Sequence, residues 1–135
     1  MRRRSPHQHG GDRGSADLAI SLAVCFFLLM LIVQVGTWAH AQHRAQAIAE
    51  QTLSALRAAD ATTATGTARA EQATTDLGGE LLRHTTVEVE RGTATARVEV
   101  QAVVRGPIPG WAPPVHAELS APVETLVTTW HPAVP

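Results

Sequence analysis

Seven histidines, twelve carboxylates and one cysteine are the side chains here that could bind a metal or move a proton. His7 and His9 lie two residues apart in the unpatterned polar stretch MRRRSPHQHGGDR, where they read as solvated groups rather than ligands. His40 and His43 fall on adjacent turns of a predicted helix, but no carboxylate or cysteine joins them at ligand spacing. His84, His116 and His131 have no nucleophile motif such as G-x-S-x-G beside them. The chain contains no CxxC, no HExxH and no glycine loop to cradle phosphate. Its later carboxylates, from Glu50 and Asp60 through Glu71, Asp76, Glu80, Glu88, Glu90, Glu99, Glu118 and Glu124, are scattered along polar faces. The expectation is a protein that is not an enzyme and that uses no metal or cofactor.

The cysteine leads to the element that matters most. Cys25 lies within LAISLAVCFFLLMLIVQVGTWA, Leu18 to Ala39, which carries no charged side chain. A lone thiol forms no intrachain disulfide, so any exported part must fold without one. Leu22-Ala23-Val24-Cys25 imitates a lipoprotein box, but valine stands where a small residue is needed and the apolar run continues past the cysteine. That reading is excluded. As a helix, residues 18–38 span about 31 Å, the thickness of the hydrocarbon core of a bilayer. A soluble helix apolar on every face needs a large protein around it, and too little chain follows. A single membrane span is expected.

Arg2, Arg3, Arg4 and Arg13 precede this run against Asp12 and Asp17, and the first fixed positive charge after it is Arg44. The positive-inside rule then places the N-terminus in the cytoplasm and the remainder outside it. An alternative stays open. Ala39-His40-Ala41 fits a signal-peptidase site, and cleavage there would release a soluble binding domain beginning at Gln42. Against it, the apolar run is longer than a signal core and a predicted helix crosses the cut. A third reading is an anchored envelope domain of unrelated role.

Formal net charge is −1 and all eleven basic residues are arginine. There is no broad basic field for nucleic acid, so no nucleic-acid partner is expected. The Arg, Ala, Thr and Val bias, with no Lys, Asn or Tyr, points to a GC-rich bacterial genome. With few aromatic residues, the part beyond the span can bury only a thin core of Val, Leu, Ala and Ile.

Residues 1–13 read as a disordered cytoplasmic leader and 14–39 as the transmembrane helix. Residues 40–59 continue the helix outside the membrane. Ala41, Ala45, Ile48, Thr52, Ala55 and Ala59 recur at 4-3-4-3-4 spacing, and Ala49, Leu53 and Leu56 widen that stripe. Residues 60–67, DATTATGT, read as a linker. Residues 68–83 resume helical spacing through Ala70, Ala73, Leu77 and Leu81, weakened by Gly78 and Gly79 at about 1 kcal/mol each.

From residue 84 to 135 the period becomes two, and a small antiparallel sheet is expected. Val87 and Val89 form one arm of a hairpin; Ala94, Ala96, Val98, Val100, Ala102 and Val104 form the other. Glu88 and Glu90 are placed to pair with Arg97. GPIPGWAPP, residues 106–114, cannot be a central strand because proline lacks the amide donor. Val115, Ala117, Leu119 and Ala121 give a third strand, and residues 123–130 suggest a fourth. The fold class is α+β: one long N-terminal helix packed on a sheet of three to four strands, in the manner of a pilin.

The order of these elements resembles the TadE-like proteins, pilin-like minor components of tight-adherence (Flp-type) pilus assembly. The likeness covers Asp12 to about Val127. It is carried by the entry DRGSADLAISL, the helix WAHAQHRAQAIAEQTLSAL, the valine-rich hairpin, the Pro-Gly loop and the closing APVE. The resemblance implies prepilin-type processing between Gly14 and Ser15. It also implies that Asp17 stands for the acidic residue that neutralises a neighbouring subunit's freed amine in a filament; an unpaired charge in apolar surroundings costs several kcal/mol. Here the acid is Asp in place of Glu and lies three residues after the glycine, while Ala19 occupies the usual fifth position. The family's frequent proline in the span is absent. Asp17 alternatively marks only the cytoplasmic end of the helix. The implied partners are the membrane and other pilus subunits or assembly-platform proteins, with homo- or hetero-oligomers formed through the long helix.

Overall fold

A computed structural model describes residues 11–58 and 60–124, and the side chains from residue 14 onward. Its spine is α1, a single helix from Gly11 to Arg57. At 1.5 Å per residue it is about 70 Å long. The span and its expected continuation form one unbroken helix, which ends at Arg57 rather than residue 59. It also begins at Gly11, inside the segment expected to be an unstructured leader; the rest of that leader, residues 1–10, lies outside the described residues.

The head is built on the second half of α1. Three strands, β1 (Leu82–Arg91), β2 (Thr95–Val104) and β3 (Pro114–Pro122), form an antiparallel sheet in the order β1-β2-β3. α1 lies across β2 and β3, while α2 (Thr63–Ala73) lies beside α1 and over β1. The arrangement is α+β, as the change of period from 3.6 to two requires.

The core forms where the helical stripe meets the alternating strands. Ala41, Ala45, Ile48, Ala49, Thr52, Leu53 and Leu56 are buried on α1; Ala96, Val98, Val100, Ala102 and Val104 are buried on β2. Alanines at successive turns let the sheet approach the helix closely, and Ile48 and Leu56 supply the bulk. Thr52 is fully buried yet costs little, because its Oγ1 donates to the Ile48 carbonyl at 2.8 Å.

Several boundaries differ from those the sequence predicts, each for a local reason. The linker is shorter than 60–67. Thr62 caps the next helix, its Oγ1 accepting from the Thr65 N–H at 3.2 Å, so α2 starts at Thr63. Gly66 is part of that helix because the two helices nearly touch there. A Cβ at residue 66 would fall 2.4 Å from Leu56 Cδ2 and 2.9 Å from Val89 Cγ1. The helix expected over 68–83 stops early: α2 ends at Ala73, a π turn covers Thr74–Gly78, and Gly79 ends it at φ 52°. A glycine at positive φ is a common stop signal for helices.

The sheet therefore starts at Leu82, two residues before its predicted beginning at 84. Leu82 and the pair Val87 and Val89 have opposite parity, yet all three turn toward the core. A bulge reconciles them. The β1–β2 register shifts by one between Arg83 and Thr86, and His84 takes φ 51°, a conformation His tolerates better than most residues. Among the described residues the sheet has three strands. Val123 and Glu124 lie outside any strand, and the remainder of the suggested fourth lies outside the described residues.

Arginines tie the layers together. Arg91 on β1 donates from Nε to the Leu56 carbonyl at 2.9 Å and from Nη2 to the Ala58 carbonyl at 3.0 Å. The Leu56 carbonyl is in the last turn of α1, where acceptors lack helical partners and a cation favours the dipole, and the Ala58 carbonyl lies just beyond it. Glu124 N–H bonds the Arg57 carbonyl at 3.0 Å. Arg69 Nη2 reaches Gln51 Oε1 at 2.9 Å, and Arg44 Nη1 reaches the Leu77 carbonyl at 2.9 Å. Replacing Arg91 by Met keeps most of the stem and removes both bonds. The expected result is a loss of about 1–3 kcal/mol in head stability, read as a lower urea midpoint with an unchanged slope.

Candidate functional site

The potentially reactive residues do not converge. Among the described residues no three His, Cys, Asp or Glu side chains are grouped to hold a metal. His40 Nε2 accepts from Arg44 Nε at 3.1 Å, so that nitrogen is already occupied. His43 is exposed on α1, and His84 sits on the bulge. His7, His9 and His131 lie outside the described residues.

The outer face of the sheet does gather charge, in a pattern the sequence hides. Glu88, Glu99 and Glu118 are cross-strand partners in one row over β1, β2 and β3. Like charges directly opposite repel, and the neighbouring Arg97 guanidinium offsets this. Arg97 Nη2 lies 2.9 Å from Glu118 Oε1 and 3.8 Å from Glu99 Oε2. His116 Nδ1 lies 3.6 Å from Glu99 Oε1. Arg97 thus pairs with acids on its own strand and on β3, whereas Glu88 and Glu90 on β1 were its expected partners. These contacts are solvated and contribute little to stability. Their arrangement became visible only once the register of both strand pairs was known.

The distinctive surface lies at the other end of the molecule. Phe26, Phe27, Leu28 and Leu29 are 63, 63, 50 and 55 % exposed. Four consecutive residues of a helix point about 100° apart, so apolar side chains cover its whole circumference. Leu18, Ile20, Leu22, Ile32 and Val35 extend that surface in both directions. This half of α1 is long and apolar enough to cross a membrane, and only 6 % of its most apolar stretch is buried. A core helix of a soluble protein would show the opposite. Every backbone group within such a helix is satisfied internally, as hydrocarbon requires. Thr37 closes its own hydroxyl on the Val33 carbonyl at 2.8 Å.

The three residues singled out at the start of the run are placed plainly. Gly14, Ser15 and Asp17 lie within the first turns of α1, all exposed. Among the described residues, a Cβ at Gly14 would meet nothing within 4 Å, so no packing with them requires glycine there. Gly14 and Asp17, three apart, share one face of the helix.

Where the apolar run meets the head, the structure adds two residues that sequence reasoning passed over. Gln34 is buried, and neither end of its amide has a hydrogen-bond partner among the described residues. Gly106 covers it: a Cβ at residue 106 would coincide with the Gln34 amide, 2.2 Å from Oε1. A lone amide in an otherwise apolar run was the available signal. One turn on, Trp38 Nε1 donates to the Pro114 carbonyl at 3.0 Å, fixing the loop between β2 and β3 against α1. Val35, Trp38, Trp111 and Pro113 close an apolar cleft of about 240 Å³ around this contact.

Comparisons with protein-family models, with curated proteins and with solved structures found no match for this chain.

Proposed function

We propose that this chain is a single-pass membrane protein of the TadE-like kind, a minor pilin or assembly component of a tight-adherence pilus. It acts through helix packing and protein contacts, not catalysis. One observation carries the reading. α1 runs without a break from a fully exposed apolar half into the core of a small α+β head. A subunit held in lipid by its own core helix has this form. The arginines ahead of the span orient it, with the N-terminus cytoplasmic and the head outside the cell membrane. Other pilus subunits or an assembly platform pack on the exposed helix. If Gly14–Ser15 is cut, Asp17 becomes the third residue of the shortened chain, and its carboxylate is the group that would neutralise the freed amine of a neighbouring copy.

The rival reading, a secreted domain released after Ala41, meets a geometric objection. The Ala41–Gln42 bond lies in the middle of α1, Ala41 is wholly buried, and the Gln42 amide both donates to the His116 carbonyl and accepts its N–H. Expression with a C-terminal tag, membrane fractionation and mass measurement separate the readings. A membrane-bound chain starting at Ser15 is the expected product. An intact membrane-bound chain keeps the anchor but removes prepilin processing, and a soluble chain starting at Gln42 overturns the proposal. Deleting the gene should also abolish surface fibres, with recovery only from a copy that retains the apolar half of α1.

A further inference from the structure

The loop Gly106–Pro113 hangs from the end of the sheet that faces the apolar half of α1. β1 begins there, β2 ends there and β3 starts there, and Trp38 is bonded to Pro114, the first residue of β3 after the loop. Taking residues 18–38 as the span puts Trp38 at the outer boundary of the hydrocarbon, the depth that indole side chains prefer. Trp111 lies across the same cleft and is 46 % exposed. The apolar surface of the helix therefore continues, without a polar gap, onto the loop.

The composition of the loop suits that depth. GPIPGWAP, residues 106–113, carries no charge, and three of its eight residues are prolines, which have no N–H to desolvate. The Trp111 N–H is satisfied by the Ile108 carbonyl at 3.3 Å. Beside the apolar tip, Arg83 and Arg105 line a cleft that also includes Trp111 and has no acidic side chain on its walls. Arginines flanking a tryptophan at this level reach lipid phosphates while their stems cover apolar surface.

We propose that this loop is a second membrane contact: Trp111 and its neighbours sit in the outer interface of the bilayer that α1 crosses, with Arg83 and Arg105 on the phosphates. The head is thereby seated on the lipid surface instead of standing clear of it. The inference rests on the anchored reading above, and its test keeps the two apart.

The full chain is purified as Cys25→Ser with Ala112→Cys, labelled at residue 112 with an environment-sensitive fluorophore and reconstituted in phosphatidylcholine–phosphatidylglycerol vesicles. A second sample carries the label at Ser120→Cys, on the outer face of β3. Residue 112 is expected to be quenched several-fold more strongly than residue 120 by lipids bearing a quencher near the headgroup. Gly106→Val, whose side chain claims the space of the Gln34 amide, should lift the loop and at least halve that quenching while the protein still floats with vesicles. Equal, weak quenching at both positions in floating protein overturns the proposal and leaves the anchor intact. Failure to float with vesicles overturns both.

Discussion

Substituting arginine for both Leu28 and Leu29 should take this protein out of the membrane. Both side chains are at least half exposed near the middle of the apolar half of α1, where hydrocarbon would be their solvent. An arginine at the centre of a span costs about 3 kcal/mol on insertion scales, and each leucine lost removes about another 0.5. The pair therefore shifts insertion by about 7 kcal/mol, near five decades in the partition. Carbonate extraction should move the double variant from pellet to supernatant. Leu28→Ala with Leu29→Ala should leave it in the pellet. Retention of the double arginine variant in the pellet would show that lipid does not solvate this stretch.

The second large effect belongs to the head. Ile48 is fully buried on α1, among the core side chains that α1 presents to the sheet. Ile48→Ala removes its bulk and leaves a cavity, at a cost of about 2–5 kcal/mol. A small domain holds only about 5 kcal/mol in total at the lower end of the usual range, so this single change consumes most or all of it. Thermal unfolding of the full chain in detergent should lose its cooperative near-ultraviolet transition or fall in midpoint by ten degrees or more. Glu50→Ala, on the exposed side of the same helix, should leave the transition in place. Helical signal from the apolar half should survive in both variants, since lipid or detergent supports it independently of the head.

How far the residues foretold this architecture varies from element to element. The stripe through Ala41, Ala45, Ile48 and Leu56 is legible because a helix with one wet face must repeat every three to four residues. The alternation from Val98 to Val104 is legible for the corresponding reason in a strand. Interruptions were harder to read. Thr62 and Gly66 look like linker composition until one sees that the threonine caps a helix and the glycine lets two helices touch. The bulge at His84 has no local signature; it exists because Leu82 and Val87 must face one core from positions of opposite parity. The contact between Gln34 and Gly106 joins residues far apart in the chain, and pattern reading within a window cannot find such a pair. The processing residues Gly14, Ser15 and Asp17 were nominated by resemblance, and the structure places them on the exposed first turns of α1.

The uninterrupted ladder of α1 has a mechanical corollary. No glycine kink, proline or flexible joint separates the exposed apolar half of α1 from the part that forms the head's floor, so the molecule is a lever with a single shaft. Under the anchored reading proposed above, a tilt or twist imposed on the apolar end by a neighbouring subunit would pass along one continuous helix to the sheet some tens of ångströms away.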